Sequence, residues 1–484
     1  MPPTLAALVW LVLLILLLVY DPAKQPGVSV AIWVPIIWIF FVASRLPSQW
    51  LGGDRLTLAA QAFEEGNSFD RSVFLALILL AMIVLISRSF RWGEFFVRNL
   101  ALTSLLLFAL VSIFWSDLPF VSLKRWVRDL GSYLSILVVL SDPVPLESVR
   151  LLLRRLFYLL VPLSILVIKY YPILGMDYSE WTGAAMAKGV ATSKNTLGAI
   201  CLVSGLFFFW DIANRWSNRK ERGTKRILAV NFVFLAMTLW LLNLAHSATS
   251  GVCMAIGCVV VVVARSKWAR RHPGFFKILV PVSFCLYLVL AFGLDLNGEL
   301  AHLVGRDPTL TDRTDIWRAV LNVHTNPLVG TGYESFWLGP RLDSLWRQKS
   351  TVGINEAHNG YLEVYLNLGL MGVFLLAGVL IAGYRSLCRE LHTYSGPASL
   401  GLAMLTVTLF YNMTEAAFIG YHLMWAILLI AAIAIPGCAE RPAEILARNS
   451  NLRPAQRFAE FGLGTNAQRR QNVSSTSKPY PPLR

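Results

Sequence analysis

Long apolar stretches alternate with short polar ones along nearly the whole chain. The apolar runs fall at 4–20, 28–44, 73–87, 100–115, 130–141, 156–171, 195–213, 227–245, 251–265, 278–293, 361–384, 398–415 and 420–436. They are close to, or somewhat short of, the ~20 residues with which a helix crosses a roughly 30 Å hydrocarbon layer. Membrane strands would instead show as short alternating segments that close into a barrel. These runs are continuous and predict helices. The expected fold class is therefore an all-α polytopic integral membrane protein with about 12–13 transmembrane helices, forming a bundle over 1–436. Within it, 294–360 is the one polar segment long enough to make a small subdomain outside the membrane. The run at 4–20 lacks a basic leader and a small-residue cleavage site, so it is expected to stay as an anchor. Residues 437–484 are basic, end in a Ser/Pro-rich stretch and have no sustained apolar pattern, which predicts a disordered cytoplasmic tail.

Composition agrees with a membrane chain. Of 484 residues, 56% are hydrophobic and 15% charged, whereas soluble domains are about a quarter charged. The net charge of +15 would suit nucleic acid, but its placement does not. Arg215, Arg219, Lys220, Arg222, Lys225 and Arg226 fill one short connection, and Arg265, Lys267, Arg270, Arg271 and Lys277 fill another. Such alternate basic connections mark the cytoplasmic side of a bilayer protein. Loops 214–226, 265–277 and 385–397 are thus expected inside, and 116–129, 172–194, 246–250 and 294–360 outside. The six cysteines form no Cys-x-x-Cys pair and mostly lie in apolar runs, so neither a disulfide framework nor a zinc site is expected.

The outer segments hold the chemistry. Arg125 and Arg128 are three apart and share a helix face. Lys194 and Asn195 open a span. Arg306, Arg313 and Tyr333 lie in the long polar segment, which closes on Glu356-Ala357-His358-Asn359-Gly360-Tyr361 just before an apolar helix. Basic residues on the outer side run against the topological bias and call for an anionic partner. A histidine that titrates near neutrality suits proton transfer.

These motifs resemble the O-antigen ligase and polysaccharide polymerase (Wzy) superfamily, in particular its exopolysaccharide-polymerase-like members. The resemblance rests on Ala357-His358-Asn359-Gly360-Tyr361-Leu362, Gly330-x-Gly332-Tyr333, Lys194-Asn195-Thr196-Leu197-Gly198, Ser116-x-x-Pro119-x-x-Ser122-x-x-Arg125 and Ser247-x-Thr249-Ser250, and covers about 100–435. Trp33-Val34-Pro35 and Ser44-Arg45 extend it toward the exopolysaccharide-type members. It implies a GT-C-like inner-membrane glycosyltransferase with its site facing the periplasm. The implied donor is a polyprenyl-pyrophosphate-linked glycan. The implied acceptor is another lipid-linked glycan for a polymerase, or lipid A–core for a ligase. No cofactor, metal or nucleic acid is expected, and partners in a polysaccharide export system are compatible with it. The chemistry of the residues fits. Arginines can stabilise charge on a leaving pyrophosphate, and no Asp-x-Asp metal motif occurs. The expected catalytic residues are His358 and Arg313. The expected substrate-binding residues are Arg125, Arg128, Lys194, Asn195, Arg306, Tyr333 and Asn359.

Each residue also has a plainer reading. His358 could pack at a helix start, Arg125 and Arg128 could meet lipid headgroups, and Lys194 and Asn195 could cap a helix. Glu356 and Glu363 are alternative bases. A lipid-linked glycan flippase is the competing class, with a non-catalytic assembly component behind it. A transporter should show ionisable groups at mid-membrane and discontinuous helices. Lys169 and Glu415 lie near span ends and the polar residues crowd one face, which favours an enzyme.

Overall fold

The computed structural model describes residues 1–21, 23, 27–52, 66–178, 185–272, 274–289, 310–347, 353–391, 395–418 and 420–434. Arg306 and the tail from 437 lie outside the described residues. Every expected span falls on a helix. In chain order these are α1 (Pro3–Val19), α2 (Trp33–Ala43), α3 (Ser68–Ser87), α4 (Trp92–Arg98) with α5 (Leu100–Val111), α6 (Pro119–Leu140), α7 (Pro145–Tyr170), α8 (Lys194–Arg215), α9 (Arg222–Ala245), α10 (Ala248–Arg265) and α11 (Gly274–Leu288). The outer segment adds α12 (Leu310–Leu321) and α13 (Gly339–Trp346), and α14 (Gly360–Glu390), α15 (Ser395–Tyr411) and α16 (Leu423–Ala432) follow. Among the described residues, six helices are long and apolar enough to cross a membrane unaided. Helix α6 has 22 residues but carries Lys124, Arg125, Arg128 and Asp129; the other apolar helices are shorter, and α4 and α5 form a pair bent by 98°. A two-stranded antiparallel ribbon, β1 (Met176–Tyr178) with β2 (Ala185–Ala187), closes the α7–α8 connection.

Helix α8 is the centre of the bundle: 83% of its span is buried, against 33% for α9 and α10. Ser193 caps it by accepting from Thr196 N, so the hydroxyl before Lys194 satisfies a backbone donor that the turn cannot. Gly198 lets α10 approach, because a Cβ there would lie 2.5 Å from Ser250 Oγ.

Polar contacts sort the connections to two ends. At one, Arg88 pairs with Asp142 at 2.9 Å, Arg265 donates to Asn214 at 2.8 Å and Trp210 Nε1 to Gly396 O at 2.7 Å. This end gathers the basic loops around 214–226, 265–272 and 385–391. At the other end, Arg45 donates to the carbonyls of Leu174, Gly189 and Ala191. There too Asp117 N donates to Ser335 Oγ at 3.3 Å and the Thr249 and Thr414 hydroxyls meet at 2.9 Å. The outer loops expected from charge therefore share one end.

Two features depart from the expectation of plain spans. Helix α14 was expected as one continuous span, yet it breaks at Gly369, where φ is 63°. The loop after α12 fills the break. Leu370 N and Met371 N, freed from the helix, donate to Pro327 O and Leu328 O at 2.9 and 3.1 Å; the carbonyls of Leu366 and Asn367 accept from Thr331 N and Gly332 N at 3.1 and 2.9 Å. A broken helix is tolerated in a membrane when other protein groups take over its backbone partners. The approach requires glycine on both sides. A Cβ on Gly330 would lie 2.4 Å from Asn367 C, and one on Gly369 2.3 Å from Leu328 C.

The second departure is a buried charge network. Arg154 of α7 pairs with Asp211 of α8, and Asn231 of α9 bonds to both. Each charge has a partner and a hydrogen bond, which is the condition for keeping a charge buried. Discontinuous helices and interior charges, whose absence would argue against a transporter, are both present.

Gly330→Ala and Gly369→Ala should each lower stability by about 1–3 kcal/mol, from positive-φ strain and backbone overlap. Gly378→Ala should be near neutral, since its Cβ would find only Ala101 Cβ at an ordinary 3.6 Å. Thermal midpoints in detergent check this series.

Candidate active site

The outer end brings two polar clusters together on the loop between α15 and α16. The first centres on Glu415. Its Oε1 pairs with Arg313 Nη2 at 3.0 Å, and its Oε2 accepts from Asn195 Nδ2 at 3.0 Å. Arg313 also donates to Thr414 O. His358 Nδ1 lies 2.7 Å from Glu356 Oε1 and 3.8 Å from Glu415 Oε2. Two helices, α8 and α12, and the loops before α14 and after α15 thus converge on this cluster, which holds four charged side chains.

Local structure aims His358 into this cluster. Its φ of 48° is left-handed, uncommon for a residue with a Cβ and enriched at functional positions. Asn359 follows as the cap of α14, accepting from Tyr361 N and Leu362 N at 3.0 and 3.1 Å. Its amide oxygen is thereby engaged, and the residue is buried. Below, Glu363 accepts from Ala357 N at 2.5 Å and from Trp337 Nε1 at 2.9 and 3.0 Å. It is buried with both oxygens bonded, so it positions the loop rather than reaching a substrate. Trp317 Nε1 pins the same loop from α12 through Ala357 O at 2.8 Å.

Electrostatics set the protonation of His358. Burial disfavours the imidazolium, but the contacts and charges of Glu356 and Glu415 outweigh it and raise the pKa from 6.5 to about 9. Partial burial works against the charge of Glu356 too, yet His358 holds its carboxyl below the usual carboxylate range. Both shifts favour an imidazolium beside a carboxylate at neutral pH. The base role expected for His358 needs the neutral ring, which this arrangement disfavours.

The second cluster centres on Glu334, also left-handed at φ 47°. Arg125 Nη1 donates to its carbonyl at 2.7 Å; Arg128 Nη2 pairs with its carboxylate at 3.2 Å. Arg128 Nε bonds Asp129 at 3.0 Å, and the guanidinium sits 4.8 Å over the Tyr421 ring. The Tyr333 hydroxyl donates to Asp129 Oδ2 at 2.8 Å. Burial and the Asp129 carboxylate push the Glu334 carboxyl up, against the pull of Arg128 and Arg125. The α15–α16 loop connects the clusters, with Glu415 in the first and Tyr421 in the second.

Of the residues expected from sequence, His358, Arg313 and Asn195 meet in the first cluster, and Arg125, Arg128 and Tyr333 in the second. Asn359 caps α14 between them. Lys194 is exposed at the start of α8, and Arg306 lies outside the described residues. Glu415, Glu334, Asp129 and Tyr421 were missed. Glu415 had a usable signal, since a carboxylate closing an apolar span demands a cation. Glu334 had none beyond its place after a glycine turn.

Glu356, His358 and Glu415 offer ligand atoms within 4.8 Å of one another, a spacing a metal ion could use. Arg313 already neutralises Glu415, and His358 Nδ1 would have to lose its proton to coordinate. Beside the first cluster opens an apolar cavity of about 410 Å³, lined by Phe284, Trp317, Leu321, Asn359, Tyr361, Leu362 and Met413.

Two comparisons with known proteins concern the chain as a whole. Residues 232–377 match the O-Antigen ligase (Wzy_C) family, a stretch that includes Arg313, Glu334 and His358. The chain is also 26% identical over 372 residues to "Exopolysaccharide production protein ExoQ" of Rhizobium meliloti (strain 1021), covering 74% of this chain and 81% of that protein. The two matches support the O-antigen ligase/polymerase-like family for this chain, with a membrane role in glycan processing.

A titration tests the electrostatics directly. His358 followed by NMR should titrate near pH 9, and Glu356→Gln should move it down toward its ordinary value. The sign for stability follows from a folded pKa above the unfolded one. The His358 contribution is whole below about 6.5 and is lost as pH rises through about 9.

Proposed function

We propose that this protein is a membrane glycosyltransferase that moves a glycan from a polyprenyl-pyrophosphate donor to an acceptor sugar hydroxyl, polymerising surface polysaccharide repeat units. The observation that carries the reading is the Arg313–Glu415–His358–Glu356 cluster, with an apolar cavity beside it that begins at Asn359 and Met413. It offers two cations for a pyrophosphate, a carboxylate for a proton and an apolar slot for an isoprenoid. Polymerase is preferred to ligase because the matched relative is named for exopolysaccharide production.

In this mechanism the acceptor oxygen attacks the anomeric carbon. The bond from that carbon to the phosphate oxygen breaks, and its electron pair leaves on the pyrophosphate. Arg313 and the His358 imidazolium stabilise that developing charge. The acceptor proton passes to Glu356, whose side chain is 36% exposed, while Glu415 at 8% holds both cations in place. Arg125 and Arg128 bind the donor or the growing glycan, more strongly when Glu334 is protonated. Charge at the reacting centre is handled by side chains, so no metal is required. The basic end faces the cytoplasm and the site faces the periplasm of a bacterial inner membrane, as the distribution of lysine and arginine favours.

Arg313→Ala should cost about 10²–10³ in turnover per folded protein, and Arg313→Lys nearly as much, because the planar fork is lost. Glu356→Gln should cost about 10²–10⁴. Turnover should fall as pH rises through about 9 and should survive chelators. A rate that climbs through that pH would return the base role to His358, and rescue of a chelated enzyme by magnesium would refute the metal-free mechanism.

Sidedness has its own check. In a cysteine-free background, Thr192→Cys should label from the periplasm with a membrane-impermeant reagent, and Lys220→Cys only after the inner membrane is opened. The reverse pattern would put the site in the cytoplasm.

A further inference from the structure

A second cavity lies at the basic end, far along α14 from His358. Its volume is about 680 Å³, and Arg98, Arg385 and Arg389 stand on its rim. Among the described residues none of the three side chains makes a hydrogen bond or close ion pair, although the Arg389 charge acts on the neighbouring Glu390 carboxyl. Leu100, Ala101 and Val379 continue the wall along the bundle, where a membrane protein meets acyl chains.

The cavity is built by a corner in the chain. Helices α4 and α5 meet at 98°, and Asn99 holds the corner. Its Nδ2 donates to Phe95 O and Ala434 O at 2.9 and 2.8 Å, and its Oδ1 accepts from Ala434 N at 2.9 Å. Helix α4 therefore runs across the bundle direction, with Phe96 and Val97 exposed and Trp92 stacked on Phe96. Aromatic and apolar side chains on a short transverse helix suit the headgroup–acyl boundary. A basic recess between helices at that depth matches the charge of a phospholipid phosphate, with an apolar wall for its chains.

We propose that this recess is a binding site for an anionic phospholipid, with its phosphate held by Arg98, Arg385 and Arg389 and its acyl chains along α5 and α14. The site is separate from the outer clusters and involves no step of glycan transfer. Its failure would leave the proposed function untouched, and the reverse also holds.

The test uses the full-length protein in phosphatidylcholine nanodiscs with phosphatidylglycerol or cardiolipin titrated in, read by native mass spectrometry and by the thermal midpoint. The proposal expects saturable retention of the anionic lipid and a rise in midpoint. At about fivefold per arginine, the Arg98→Gln/Arg385→Gln/Arg389→Gln variant should bind roughly hundredfold more weakly. The corresponding triple lysine variant should recover most of the binding, which a folding defect would not allow. Arg219→Gln/Lys220→Gln, at the same end but outside the recess, should bind as the parent does. The proposal is overturned if the glutamine triple retains lipid normally, if the control pair loses as much, if phosphatidylcholine is retained equally well, or if millimolar inorganic phosphate gives the same midpoint shift.

Discussion

Glu415 is a buried carboxylate at the end of an apolar helix, and the outer half of the molecule is arranged around the need to partner it. An ion held away from water is tolerated only when opposite charge and hydrogen bonds replace its solvation. Arg313 from α12 and Asn195 from α8 supply these contacts, with His358 close by. The polar segment before α14 is thereby tied to the membrane bundle. The same contacts set the chemistry, because a histidine between two carboxylates keeps its proton.

The broken helix α14 serves the same arrangement from below. The loop at 327–332 replaces the backbone partners lost at Gly369 and continues into Tyr333 and Glu334, whose contacts reach α6. His358 lies in the loop just ahead of the same helix, and Glu363 in its first turn fixes the backbone at Ala357. One irregular helix therefore positions residues of both clusters. A regular span could not accept the inserted loop, since every backbone group would already be bonded.

Much of the fold could be read from the apolar runs, since among the described residues each predicted span overlaps a helix. The ends of the molecule were readable from lysine and arginine. The break at Gly369 was not, because an isolated glycine in an apolar run looks the same whether it bends a helix or packs it. Arg154 and Asp211 were passed over for a related reason: they pair across 57 positions of sequence, and no local pattern reveals a partner that distant. Among the site residues, His358, Arg313 and Asn195 stood out as polar groups at the mouths of spans. Their common partner Glu415 reads in the sequence as a span-end carboxylate, whereas its contacts put it at the centre of the cluster. With α14 broken at Gly369 and Arg154 paired with Asp211 inside the bundle, helix regularity does not separate an enzyme from a transporter. What favours an enzyme now is the composition of the outer cluster.

Purified protein in liposomes, supplied with a synthetic polyprenyl-pyrophosphate oligosaccharide on the site's side, tests the central claim most directly. The account predicts glycan chains lengthening by whole repeat units, with one polyprenyl pyrophosphate released for each bond formed. Movement of the intact lipid-linked glycan across the bilayer, with neither chain growth nor release of the carrier, would contradict it and identify a flippase.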